Sequence, residues 1–211
     1  MKPVSSAKTG FTTDGDGRLT LWIDHDIVRG VTPAMLHWWF EHIGETMEHG
    51  GKLYPRYMLW HPKDHILWEL KRPAPNGGAG QGAYFRIVEA FGRKLDFYVD
   101  STDYVEKLDD EGISLVGRAV GLEFFRLEHR FIRVSGGTQY RSRMSVGMQA
   151  GFPGRLFNIY VRPRVFSNAA AQAWLTHNVE EVGMFEHFLP ELYHGRQMPD
   201  SANVPEPARV K

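Results

Sequence analysis

Residues 122–134 read LEFFRLEHRFIRV, residues 135–137 SGG, and residues 138–148 TQYRSRMSVGM. Apolar and charged side chains alternate along both arms, which is the period of a strand whose two faces meet different surroundings. On the first arm Phe125, Leu127, His129 and Phe131 share one face, and Arg126, Glu128 and Arg130 the other. The returning arm sets Thr138, Tyr140, Ser142, Met144, Val146 and Met148 opposite Arg141, Arg143 and Ser145. Ser135-Gly136-Gly137 supplies the hairpin turn between them. A long hairpin with one apolar face needs something to cover that face.

Working outward, the same period of two marks strands at 65–71, 84–91, 95–100 and 114–120, with a further strand at 157–162. Thr32-Pro33 forms a cap and first-turn pair, and Leu36, Trp39, Phe40, Ile43 and Met47 follow at helical spacing, predicting a helix over 33–48. Ser167-Asn168 caps a much longer helical pattern through Ala170, Trp174 and Phe185 toward Leu189-Pro190. The layout is α+β: a curved antiparallel sheet gripping a long C-terminal helix, with a cavity between them. Residues 1–211 read as a single domain, with 1–17 a mobile lead and 197–211 a surface strap or disordered tail.

Composition narrows the function classes. The 211 residues contain no cysteine, which removes thiol nucleophiles, disulfide scaffolds and thiolate metal sites. Twenty-five basic residues balance 25 acidic ones, so no basic footprint marks a nucleic acid or an anionic membrane as partner. No apolar leader or spanning run is evident, and a cytoplasmic protein is expected. A homodimer is the default assembly. The glycine-rich stretch at 76–82 lacks the GK[ST] of a phosphate cradle and reads as a loop, Asp109-Asp110-Glu111 reads as a solvated turn, and no GxSxG elbow occurs. Aromatic residues reach 13%, beside ten histidines, a composition suited to an aromatic pocket with imidazoles on its wall.

Several acids and bases fall on apolar faces. His177 and Glu181 lie four residues apart on the same side of the C-terminal helix as Trp174, Met184, Phe185 and Phe188, whereas Glu180, Glu186 and His187 fall elsewhere. Standing alone, such a pair is better explained as a buried structural hydrogen bond that orients the helix. Glu89, however, alternates onto one face with Phe85, Ile87 and Phe91, and His129 points inward from its own strand. Tyr57, Trp60, His61, Asp64 and His65 gather at a loop before the strand at 65, where His61 reads as a loop histidine near the surface. Together His65, Glu89, His177 and Glu181 make a set of two imidazoles and two carboxylates, matching zinc or iron(II) with a position left for water or substrate.

The segments Trp60-His61-Pro62-x-Asp64-His65 and His177-Asn178-Val179-Glu180-Glu181-Val182-Gly183, followed by Phe188-Leu189-Pro190-Glu191-Leu192-Tyr193, resemble the 2,4-diacetylphloroglucinol hydrolase and phloretin hydrolase family. The likeness extends over about residues 30–195. It implies a Bet v 1-like helix-grip fold and a mononuclear zinc held by two His and two Glu, cleaving the carbon–carbon bond between an acyl group and a phenolic ring. By motif, His177 and Glu181 match the HxxxE ligands, Glu89 the strand glutamate, and His65 the first ligand, with His61 as its alternative. The resemblance further implies His129 as the substrate-facing acid/base, with Tyr57 and Tyr140 holding phenolic oxygens of a small aromatic ketone or polyphenol. The chain departs from the family in its short N-terminal region and its 76–82 loop, which bear on the particular substrate. Two other readings fit the same fold: a non-catalytic binding protein for an apolar or polyphenolic ligand, and a metal-free lyase of the polyketide aromatase/cyclase kind.

Overall fold

The computed structural model describes residues 1–149 and 151–195. After a short 3-10 turn come strands β1 (Lys8–Thr13), β2 (Leu19–Asp24) and β3 (Val28–Arg29), helix α1 (Pro33–Glu41), the small hairpin β4 (Thr46–His49) and β5 (Lys52–Pro55), and the one-turn helix α2 (Arg56–Trp60). Strands β6 (His65–Arg72), β7 (Tyr84–Ala90), β8 (Tyr98–Asp109), β9 (Gly112–Ala119), β10 (Leu122–Val134) and β11 (Gly137–Val146) follow. The chain then becomes helical through α3 (Gly151–Leu156), a π-helical stretch (Phe157–Val161) and α4 (Arg162–Val165), before the 28-residue helix α5 (Asn168–Gly195). One nine-stranded antiparallel sheet runs β1-β2-β11-β10-β9-β8-β7-β6, with β3 also paired to β11.

The hairpin at 122–148 lies near the middle of this sheet, with Phe131 opposite Tyr140 and His129 opposite Ser142. Its turn needs a left-handed residue, supplied by Gly136 at φ 82°. Helix α5 covers the concave face, capped by Ser167, whose hydroxyl accepts from Ala170 N at 3.1 Å. The clearest packing is aromatic. Trp39 of α1 meets Trp60 of α2 and Phe185 and Phe188 of α5 with ring centroids 5.0–5.8 Å apart, and Trp60 stacks on Phe185 at 4.9 Å. Trp60 Nε1 also donates to the carbonyl of Glu181 at 2.8 Å, so α2 is fixed to α5 by both packing and a directed bond.

Four expectations change. The lead at 1–17 is not a mobile tail: β1 forms an edge strand paired with β2 from Lys8↔Asp24 to Thr13↔Leu19. Its Thr/Gly-rich composition carries little apolar signal, because an edge strand is half solvated. The helix expected over 33–48 stops at Glu41, since Gly50 and Gly51, both at positive φ, close a local hairpin that takes Thr46–His49 as a strand. The strand expected over 95–100 is a 3-10 turn up to Phe97, and the strand proper begins at Tyr98 and runs to Asp109. The strand expected at 157–162 is helical, although Phe, Ile, Tyr and Val favour strands there. Asn158 bonds both the N–H and the carbonyl of Met148, at 2.7 and 3.0 Å, a tertiary tie that overrides the propensity. The tail at 197–211 lies outside the described residues.

Phe185 is fully buried at the crossing of three helices. Phe185→Ala is expected to cost about 3–5 kcal/mol in urea unfolding. A loss below about 1 kcal/mol would show that this cluster does not hold α5 to the sheet.

Candidate metal centre

The sheet register and one helical turn bring the centre together. His65 opens β6 and pairs directly with Glu89 on β7, while His177 and Glu181 project from successive turns of α5. His65 Nε2 lies 3.4 Å from Glu89 Oε1 and 3.3 Å from Glu181 Oε2. His177 Nε2 lies 3.8 and 3.6 Å from the same two oxygens. All four residues expected as ligands therefore converge, the two imidazoles and Glu181 being buried.

Hydrogen bonding decides what each atom offers. His65 Nδ1 is 2.7 Å from the carbonyl oxygen of Tyr57, a group that only accepts, so Nδ1 carries the proton and Nε2 presents a lone pair. That buried Nε2 has no hydrogen-bond partner among the described residues. His177 Nδ1 likewise donates to Asp64 Oδ2 at 3.1 Å. Asp64 also accepts from Gly92 N at 3.0 Å; burial pulls its carboxyl upward, but these bonds and the neighbouring imidazoles bring it down to about 2. An ionised Asp64 fixes the His177 tautomer with Nε2 free, the outer-carboxylate arrangement usual behind a metal-bound histidine. Tyr57 donates its hydroxyl to Glu89 Oε1, and Asn178 donates its amide to Glu181 Oε1.

Electrostatics agree with the bonding pattern. Burial pushes the Glu89 carboxyl up to about 7 and Glu181 up to about 8, and it drives His177 down to about 3 and His65 below its usual value. Two imidazole lone pairs facing two carboxylates in a dry site repel one another. A divalent cation matches both the charge and the donor types, so the residues present fit a bound metal.

A second group, His61, Asp64 and His177, also brings potential donors together. Here the atoms are already engaged: His61 Nδ1 accepts from Asp64 N at 3.2 Å and its Nε2 bonds Glu180 Oε2 at 3.1 Å. His61 is fully buried, which corrects the surface position expected for it. It stands behind the centre with neither nitrogen free, whereas His65 has one.

Beside the centre, an aromatic cavity of about 690 Å³ separates sheet and helix. Tyr57, Glu89, His129, His177 and Glu181 are part of its wall. His129 Nδ1 lies 2.9 Å from Ser142 Oγ, and Ser142 donates to Asn178 Oδ1 at 2.8 Å. With that hydroxyl proton committed, His129 Nδ1 must donate and Nε2 is left as an acceptor; burial holds the ring neutral, down to about 3. Tyr140 does not reach the cavity wall. It is fully buried against His25, His129 and Phe131, and its hydroxyl has no partner among the described residues. Sequence reasoning missed Asp64, Asn178, Ser142 and His25 as parts of this network, the last bonding Ser142 Oγ at 3.1 Å. Ser142 was on the inward face of its strand, but nothing in the alternation distinguishes a network serine from a core one.

The sequence profile of the DAPG hydrolase PhiG domain matches residues 2–194. The chain belongs to the DAPG hydrolase family. Members of that family are hydrolases acting in phloroglucinol-type chemistry, and the buried His/Asp/Glu groups of this one could hold a metal. A START superfamily protein from Mycobacterium smegmatis superposes with a TM-score of 0.50 at 9% identity, over 85% of this chain and 99% of its own, which places the family member among helix-grip folds. Ara h 8.0201 is similar at a TM-score of 0.46 and 12% identity, over 78% of this chain and 95% of its own. A Rhodobacter sphaeroides protein is similar at 0.47 and 14%, over 88% and 99%. No curated protein sequence matches the chain. Among the described residues no helix is long and apolar enough to cross a membrane.

The hydrogen-bond pattern separates the two donor groups by experiment. In calorimetric zinc titrations Asp64→Ala, which frees the His177 ring, is expected to weaken binding about 10- to 100-fold. His61→Ala should weaken it far less. A loss for His61→Ala as large as that for Asp64→Ala would locate the ion in the His61 group, of which Asp64 is itself a member.

Proposed function

We propose that the chain is a metal-dependent hydrolase that cleaves the carbon–carbon bond between an acyl group and a phloroglucinol-like ring. The observation that carries this reading is the convergence of two unprotonated imidazole nitrogens and two carboxylates beside an aromatic cavity, with Glu89, His177 and Glu181 on its wall and His65 behind them, in a member of the DAPG hydrolase family. His65, Glu89, His177 and Glu181 would hold zinc or iron(II). When bound, the ion supplies Lewis acidity that polarises a carbonyl or lowers the pKa of water.

The substrate chemistry explains why such a site suffices. A polyhydroxylated aryl ketone tautomerises to a ring keto form, making the exocyclic carbonyl part of a β-diketone-like unit. Water adds its oxygen to the acyl carbon, the bond from that carbon to the ring breaks, and the electron pair passes to the ring as a stabilised enolate. The ring carbon then takes a proton, giving a carboxylic acid and the deacylated phenol.

His129 Nε2 is the acceptor that receives a hydrogen bond from the attacking water and moves its proton toward the ring, with Ser142 and Asn178 fixing the tautomer. Tyr57 spends its proton on Glu89 and therefore offers substrate an acceptor oxygen, suited to a phenolic O–H. Tyr140 packs behind His129 and supports its ring instead of touching substrate. Apolar walls exclude bulk water from the enolate.

Metal-loaded protein incubated with acetylphloroglucinol in ¹⁸O-labelled water should release phloroglucinol and labelled acetate. His129→Ala should retain its metal and lose about 100-fold or more in kcat. Absence of cleavage across acylphloroglucinols with metal bound would overturn the reading, and an unchanged kcat in His129→Ala would remove His129 from it.

A further inference from the structure

Arg162 is the one Arg or Lys among the described residues of the cavity wall, and it is 5% exposed. Its Nε donates to Gly17 O at 3.2 Å, and its Nη1 donates to Phe166 O at 3.3 Å and Asn168 Oδ1 at 3.2 Å. Nη2 has no hydrogen-bond partner among the described residues, and no carboxylate there forms an ion pair with the guanidinium. Burial alone lowers its pKa, with no acid raising it. A buried cation held only by neutral oxygens lacks the counter-charge that such groups ordinarily have.

Neither aspartate of the same cavity wall fills that place. Asp100 is held by both arms of Arg86, at 2.8 and 2.9 Å. Asp103 accepts from Ser101 Oγ at 2.7 Å, and burial pushes its carboxyl up to about 6. The other charge at this end has the same sign as Arg162: Asn168 begins the 28-residue helix α5, whose N-terminus is its positive pole. Asn168 and His177 are nine residues apart on α5, about 13 Å at the α-helical rise. The cavity therefore has two poles, the metal centre at one and, at the other, a guanidinium with no carboxylate partner among the described residues.

We infer that Arg162 forms a second binding subsite, taking the carboxylate at the far end of an elongated aryl ketone whose acyl carbonyl lies at the His65–Glu181 centre. The free Nη2 and the adjacent helix pole provide the complementary charge, and the apolar walls receive the intervening chain. The near end of this assignment rests on the hydrolase reading; the carboxylate subsite itself does not.

The test uses acylphloroglucinols whose acyl chains, in a graded series of lengths, end in a carboxylate or in its methyl ester. With the wild-type protein, kcat/KM is expected to favour the acid roughly 10- to 100-fold at the length that spans the cavity, the range given by a hydrogen bond to a charged group. Short chains should show no such preference. Arg162→Gln should bring the ratio toward one, and Arg162→Lys, which keeps the charge without the fork, should fall between. Equal or better use of the ester at every length by the wild type would overturn the inference, without reliance on a variant that must fold. Calorimetry with a phenylalkanoate and its methyl ester separates the two readings. Preferential binding of the acid without turnover of any acylphloroglucinol supports the subsite and removes the hydrolase. Turnover without any preference in either assay removes the subsite and leaves the hydrolase.

Discussion

Two histidines in this protein have been turned so that their lone pairs, not their protons, face a pair of carboxylates. The backbone carbonyl of Tyr57 takes the Nδ1 proton of His65 and the ionised Asp64 takes that of His177, so both Nε2 atoms are left as acceptors in a dry interior. Burial of acceptors that face other acceptors costs stability, and each Nε2 stands 3.3–3.8 Å from an oxygen of Glu89 and one of Glu181. A divalent cation reverses the sign of the arrangement, turning mutual repulsion into ligation. The raised carboxyls of Glu89 and Glu181 are the same fact seen through their proton affinity.

The fold exists around that constraint in a traceable way. Antiparallel register sets His65 beside Glu89, and the helical repeat stacks His177 on Glu181. What brings the two pairs together is the aromatic crossing of α1, α2 and α5, reinforced by the bond from Trp60 to the Glu181 carbonyl. Residues between α2 and β6 then do two tasks at once. Asp64 orients His177 from the loop, and its own carbonyl accepts from Ala90 N at 2.9 Å, joining the loop to the end of β7 one residue beyond Glu89.

Much of this was readable from residue order. The alternation at 122–148 gave the central hairpin with its bounds nearly unchanged, and the i,i+4 pair with the inward Glu89 accounts for three of the four residues that converge, the fourth coming from the cluster at 57–65. What escaped depended on tertiary partners. The β1–β2 pairing is carried by a polar edge strand, and the 157–162 segment is helical because Asn158 ties it to Met148. His61 and His65 could not be separated by spacing, because their difference lies in which nitrogen a carbonyl or a carboxylate already holds. Alternation places Tyr140 on the inward face, but inward on this strand means behind His129 and not into the cavity, a difference that only the packing reveals.

The most direct measurement is anomalous diffraction at the zinc edge from crystals of the full chain grown with zinc. A single strong peak is expected within ligand distance of His65 Nε2, Glu89, His177 Nε2 and Glu181, about 2.0–2.2 Å from each donor. A peak among His61, Asp64 and His177 Nδ1, or none at either group under saturating zinc, would contradict it.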